Sequence, residues 1–222
     1  AAPRAVRLDV PDFLEDELAA GLGPDFEQVM RAMQSRAPVD LRVNTLRTNP
    51  GAATVALARD GILVEPLPLV PHALRVMQNP RSVAQSRAYT QGMVELQDLS
   101  SQFVAHAAGA APGMTVLDFC AGGGGKSLAL AAAMRGHGRL LAHDANLSRM
   151  KDLPERARRA GARIEIVAPG SRGEVPPCDL VFVDAPCSGT GAWRRRPEGK
   201  WRLGPADLPR FTGLQDSILR EA

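Results

Sequence analysis

A chain of 222 residues can hold one large domain, or one of about 120–150 residues with a small companion. Its 45% hydrophobic content is ordinary for a globular protein, and no apolar run approaches the ~18–20 residues of a membrane span, so no membrane partner is expected. Three cysteines (Cys120, Cys178, Cys187) and four scattered histidines give neither a disulfide framework nor metal-site spacing. With no leader-like start and a net charge of +3, a cytoplasmic, reduced protein without a metal is expected.

Pro11–Gln34 reads as a helical lead-in. Leu41–Thr48 alternates as a strand does, Asn49-Pro50 starts a helix over Gly51–Asp60, and Ile62–Glu65 is a second strand. Pro66, Pro68 and Pro71 interrupt the next stretch, leaving a small α/β unit that by itself reads as scaffold. From about Tyr89 helices and strands alternate. The helices are Val94–His106, Lys126–Met134, Asn146–Ala160 (with a defect at Pro154) and Ala206–Ala222, and the strands are Thr115–Phe119, Arg139–His143, Arg163–Val167 and Asp179–Val183. Such alternation predicts an α/β fold, a parallel Rossmann-like sheet with helices on both faces. The expected division is 1–86 for the helical lead-in and small module and 87–222 for the Rossmann-like domain. The continuous apolar run Leu180–Val183 suits a strand buried on both faces, so further sheet is expected beyond Ala222. Beginning with Ala, the chain also reads as a fragment.

Two segments carry chemistry. In Leu117–Ser127, LDFCAGGGGKS, a strand runs through glycines into a helix start, where a ligand can approach bare backbone. A P-loop would need glycine where Cys120 stands, and a strict G-x-G-x-x-G fails at Ser127 or Leu128. An S-adenosylmethionine turn fits better. Asp144, ending the next strand, would accept hydrogen bonds from the ribose hydroxyls, or would cap the helix after it. In Phe182–Gly191, FVDAPCSGTG, Asp184 and Cys187 come after a strand's carboxyl end. A thiolate adding to carbon 6 of a pyrimidine makes carbon 5 able to attack an activated methyl group, so a thiol here suits base methylation. The segment Trp193–Arg202, WRRRPEGKWR, sets Arg194, Arg195, Arg196, Lys200 and Arg202 among the chain's two tryptophans. It reads as an RNA contact or as a solvated loop.

These residues resemble the Sun-type (RsmB-like) family of RNA cytosine-5 methyltransferases. The likeness runs from LRVNTLRT through YTQGMVELQDLSSQFVA, VLDFCAGGGGKS and DAPCSGTGAWRRRPEGKW to LQDSILREA. It implies a truncated Rossmann-like methyltransferase domain preceded by an RNA-recognition-like module. The resemblance further implies S-adenosylmethionine held by Cys120, Ala121, Gly122, Gly123, Gly124, Gly125 and Lys126, with Asp144, Arg149 and Asp184. Lys126 and Asp184 are implied beside the target base, and Cys187 is implied to assist product release, the nucleophile being a second cysteine in a later Thr-Cys motif not present here. The implied partner is RNA, with ribosomal RNA favoured and transfer RNA the alternative, bound by a monomer. The family's turn is Cys-Ala-Ala-Pro-Gly-Gly-Lys-Thr. Gly122-Gly123 in place of Ala-Pro should loosen it by about 0.5–1 kcal/mol per glycine. Val167–Ser171 lacks the usual third-strand acid, so weakened cofactor binding is expected. A catalytically impaired RNA-binding or assembly factor is the alternative.

Overall fold

The computed structural model describes every residue except 1, 172 and 174. By internal packing the chain divides into a smaller unit, made of the segments up to Ala37 and Ala185–Glu221, and a larger unit, Pro38–Asp184.

The larger unit holds two four-stranded sheets. The first comprises β1 (Asp40–Val43), β2 (Val64–Pro66), β3 (Ala73–Val76) and β4 (Val94–Leu96), ordered β2-β3-β1-β4 and antiparallel throughout. Helix α4 (Pro50–Arg59) starts where Asn49 accepts from the Ala52 N–H at 3.0 Å, a cap worth about 1 kcal/mol. A short helix α5 (Arg87–Thr90) comes after β3. Side chains alternate along β1. Leu41 and Val43 enter an apolar cluster with Leu57, Ile62, Leu74 and Val94, while Asp40 and Arg42 carry polar groups on the other face. On that face Asp40 pairs with Arg75 at 2.8 Å. Just past the strand, buried Asn44 donates from Nδ2 to the carbonyls of Gly92 and Ala160, both at 2.8 Å.

Two expectations are corrected here. Val94–His106 is not one helix, because Val94–Leu96 pairs with β1 and helix α6 spans only Leu99–Ala107. Asp98 caps it, accepting from the Ser100 N–H at 2.9 Å, and the ladder lets Val94 fill the first sheet's core. Strand β3 was masked by the prolines. Pro66 is harmless because it ends the edge strand β2, where a missing N–H breaks no inner ladder.

The second sheet contains β5 (Thr115–Asp118), β6 (Arg139–His143), β7 (Glu165–Val167) and β8 (Leu180–Phe182). All are parallel, in the order β7-β6-β5-β8. Helix α7 (Gly125–Ala133) links β5 to β6. The expected helix Asn146–Ala160 is split, as Pro154 requires, into a 3-10 turn at Leu147–Met150 and α8 (Leu153–Ala160) with the proline in its first turn. Strand β8 lies at the edge among the described strands, with Val181 36% exposed there.

The smaller unit is helical, with α1 (Arg4–Leu8), α2 (Asp12–Leu22), α3 (Phe26–Met33), α9 (Glu198–Trp201) and α10 (Asp207–Glu221). Leu8, Val10, Leu14, Phe26, Met30 and Trp193 form its core. Among the described residues no helix is long and apolar enough to cross a membrane.

Candidate functional site

Strands β5, β6 and β8 bring the motif residues to one edge of the parallel sheet, where carboxyl ends of strands frame a ligand crevice. After β5 the chain turns through Cys120–Gly124 into α7. The Ala121 N–H donates to the His143 carbonyl (2.8 Å), the Gly122 N–H to Asp144 Oδ2 (3.0 Å) and the Gly124 N–H to the Ala121 carbonyl (2.9 Å). Gly124 has a φ of +78°, and a Cβ on it would meet Leu153 Cδ1 at 2.2 Å, so neither backbone nor space admits another residue. No side chain caps α7. A glycine cradle leading to uncapped helix amides fits a ligand bearing a carboxylate, such as the methionine part of S-adenosylmethionine.

The turn is not left loose by its extra glycines. Arg156 Nη1 donates to the Gly123 carbonyl, and Gln97 Nε2 donates to the Gly125 carbonyl at 3.1 Å. Arg156 and Arg159 both pair with the buried carboxylate of Glu95, Arg156 at 3.1 Å, and the Arg159 guanidinium lies 4.3 Å over the Tyr89 ring. Glu95 and Gln97 belong to β4 and the residue after it, so the first sheet fastens the turn of the second. Sequence reasoning missed Glu95, Gln97 and Arg156. Gln97 and Arg156 lie 28 and 33 residues from the groups they hold, and nothing in the local pattern marks them.

Asp144 is buried and combines features of both anticipated roles. It accepts from the Gly122 N–H and the Asn146 N–H (2.9 Å) and pairs with Arg149 Nη1 (3.1 Å). Three of its roughly four acceptor positions are thus engaged within the chain. Arg149 is the exposed, movable partner. Lys126 Nζ donates to Asp184 Oδ2 at 2.7 Å, joining the first turn of α7 to the residues just after β8, the neighbour of β5 in the sheet. Asp118, the last residue of β5, was also missed. It is buried, accepts from Ser127 Oγ at 2.6 Å, and burial pushes its pKa up to about 6. An acid closing an apolar strand was the available signal. Burial, then nearby Asp144, pushes Cys120 up to about 11, which keeps it a thiol. Cys187 is exposed on the smaller unit, and Cys178 is partly exposed.

In the basic segment packing divides what composition groups together. Trp193 is buried in the smaller unit's core and cannot stack on a base, whereas Trp201 is 56% exposed. Lys200 is 4% exposed and its ammonium pairs with Asp9, so its charge is used inside the unit rather than offered to RNA. Arg194, Arg195, Arg196 and Arg202 are exposed. Arg194 donates from Nη2 to Ser35 Oγ (2.6 Å), and Arg196 and Arg202 line a cleft of about 320 Å³.

The family described as 16S rRNA methyltransferase RsmB/F matches residues 108–222, and the ferredoxin-like domain of RsmF/B-like methyltransferases matches residues 10–84. The chain is 33% identical over 218 residues to the probable ribosomal RNA small subunit methyltransferase B of Bacillus subtilis (strain 168), covering 95% of this chain and 48% of the relative. It is 32% identical over 218 residues to ribosomal RNA small subunit methyltransferase B of Xanthomonas campestris pv. campestris, covering 94% and 49%. The crystal structure of a methyltransferase homolog protein from Pyrococcus horikoshii superposes with a TM-score of 0.82 at 25% identity, over 97% of this chain and 70% of that one. The chain spans about half the length of the curated relatives it matches. An antiparallel ferredoxin-like sheet, a parallel sheet with a glycine turn and a family match over half of the residues agree: the chain belongs to the RsmB/F family of 16S rRNA methyltransferases.

Proposed function

We propose that this chain carries the donor-binding apparatus, and part of the catalytic apparatus, of a monomeric, cytoplasmic enzyme that methylates carbon 5 of a cytosine in ribosomal RNA. The observation that carries the reading is the Lys126–Asp184 pair, at 2.7 Å, beside the glycine turn and the uncapped start of α7. S-adenosylmethionine, when bound, supplies the activated methyl group. The turn from Cys120 to Gly125 and the first amides of α7 hold it, with Asp144 just after β6 and Arg149 in the 3-10 turn that comes next. Asp184, half exposed, accepts a hydrogen bond from the exocyclic amine of the target base, and Lys126 orients that carboxylate through its charge-assisted bond. Addition of a thiolate to carbon 6 of the base makes carbon 5 nucleophilic. Loss of the carbon 5 proton and elimination of the thiol then complete the exchange. The resemblance assigns Cys187 to assist that release, and the exposed Arg194, Arg195, Arg196 and Arg202 contact RNA phosphates.

A second reading, an RNA-binding factor with an impaired donor site, is favoured by the near-saturation of Asp144 and the lack of an acid over Val167–Ser171. Calorimetric titration of S-adenosylmethionine separates the two. Micromolar binding, weakened about tenfold or more by Asp144→Ala, supports the enzyme. A folded chain that binds RNA but gives no heat with S-adenosylmethionine supports the second reading.

A further inference from the structure

Three carboxylates stand around the glycine turn, and they differ in how their charge is balanced. Asp184 is paired with Lys126 at 2.7 Å and Asp144 with Arg149 at 3.1 Å, so each brings a cation with it. Among the described residues Asp118 forms no ion pair. Its partners are neutral, the Ser127 hydroxyl at 2.6 Å from Oδ2 and the Cys120 N–H, and its Oδ1 is buried without a partner. Asp118 closes β5, where it lies between Ala142 of β6 and Phe182 of β8. Ser127 belongs to the first turn of α7, so the bond between them closes the loop that contains Gly122, Gly123, Gly124 and Gly125. Folded proteins seldom keep a buried carboxylate without a cation, because its lost hydration is then not repaid.

Asp118 is 1% exposed, too deep to touch a ligand, but its charge acts across an interior of low dielectric constant. The methyl donor carries a sulfonium, and transfer of the methyl group turns that sulfonium into the neutral thioether of S-adenosylhomocysteine. Donor and product otherwise have the same atoms. We propose that Asp118 is a specificity-determining residue of the donor site, its unbalanced negative charge favouring the cationic sulfonium over the neutral thioether. The inference rests on the donor reading above. Because the ionised carboxylate is the form that attracts the cation, donor affinity should rise as pH rises through about 6, whereas product affinity should not. The groups facing Asp118 are Ser127 and Lys126 from α7, Asp184 after β8 and Cys120 in the turn. From the β6 side come His143, whose Nδ1 lies 3.0 Å from the Phe119 carbonyl, and the Asp144–Arg149 pair beside Cys120.

The test is calorimetric titration of S-adenosylmethionine and of S-adenosylhomocysteine into the 222-residue chain across pH 5 to pH 7, roughly. In the wild type the ratio of the two affinities should move toward the donor by about fivefold over that range. In Asp118→Asn, which keeps an acceptor for Ser127 and removes the buried charge, the ratio should stay flat at its low-pH value. Ser127→Ala removes a bond that favours the ionised carboxylate, so it should carry the step in the ratio to higher pH, a change that a merely structural role would not produce. A wild-type ratio that does not change with pH overturns the proposal and leaves the donor site standing. So does a step that persists in Asp118→Asn, which belongs to another facing group such as His143. Equal weakening of both ligands by Asp118→Asn at every pH shows a packing role and overturns it as well. A folded chain that binds neither ligand removes the donor reading, and the proposal falls with it.

Discussion

The glycine turn Cys120–Gly125 and the basic segment Trp193–Arg202 are both short motifs, yet they differ in what their sequences disclose. The turn is a matter of backbone. Its glycines, the strand before it and the helix after it specify where amides and bare Cα atoms must go, and the structure places them there. The segment is a matter of side chains, and its meaning depends on which of them packing leaves outside. Trp193 and Lys200 are turned into the smaller unit while the arginines stay exposed. A motif of backbone shape survives being read alone, whereas a motif of charge does not.

The sharpest way to break this contrast is to attack the turn from a distance. Glu95→Gln leaves Arg156 and Arg159 without their buried counter-charge and should destabilise the protein by about 3–5 kcal/mol. It should also weaken S-adenosylmethionine binding, which denaturant titration and calorimetry would report. Unchanged stability would mean that the turn stands by its own backbone. Gly124→Ala attacks the turn directly, through a positive φ and a clash with Leu153, and should cost about 2–3 kcal/mol by the same measurement.

The pH dependence of Asp118 comes next. Its folded pKa of about 6 lies above the ordinary 3.8, so the folded state holds the proton more tightly. That contribution is complete below about pH 3.8 and is lost as pH rises through about 6. Between pH 4 and pH 8, roughly, Asp118→Asn should therefore gain about 2–3 kcal/mol relative to the wild type, read from denaturant midpoints at the two ends. A constant difference would show that the carboxyl titrates normally.

The smallest effects test the basic segment. Lys200→Ala should lower stability by about 1–2 kcal/mol and leave the salt dependence of RNA binding unchanged. Arg196→Ala and Arg202→Ala should do the reverse, each reducing the slope of log affinity against log salt by about 0.7–0.9 with stability within about 0.5 kcal/mol. If Lys200→Ala flattened the slope, the division drawn by burial would fail.

How far the sequence could be read obeys the same division. The parallel strands, the Asn49 cap and the break at Pro154 were legible, because each is written in neighbouring residues. The strand at Val94–Leu96 was not. Three residues of ladder before a capped helix continue the same apolar pattern, and only the cap at Asp98 marks the boundary between them. Lys126 and Asp184 were both marked by their motifs, but their ion pair depends on β5 and β8 being neighbours in the sheet.

By itself, then, the sequence determined an α/β chain of this family with a glycine turn, an acid after the next strand and a cysteine after another. Those features rest on backbone conformation and on contacts within a few residues. Tertiary structure decided the rest. It set Glu95, Gln97 and Arg156 to hold the turn, filled most of the acceptor positions of Asp144, buried Asp118, and separated the exposed arginines from Lys200. Each of these depends on burial or on a partner distant in the chain, and pairing across such distances is fixed only when the sheets and helices pack.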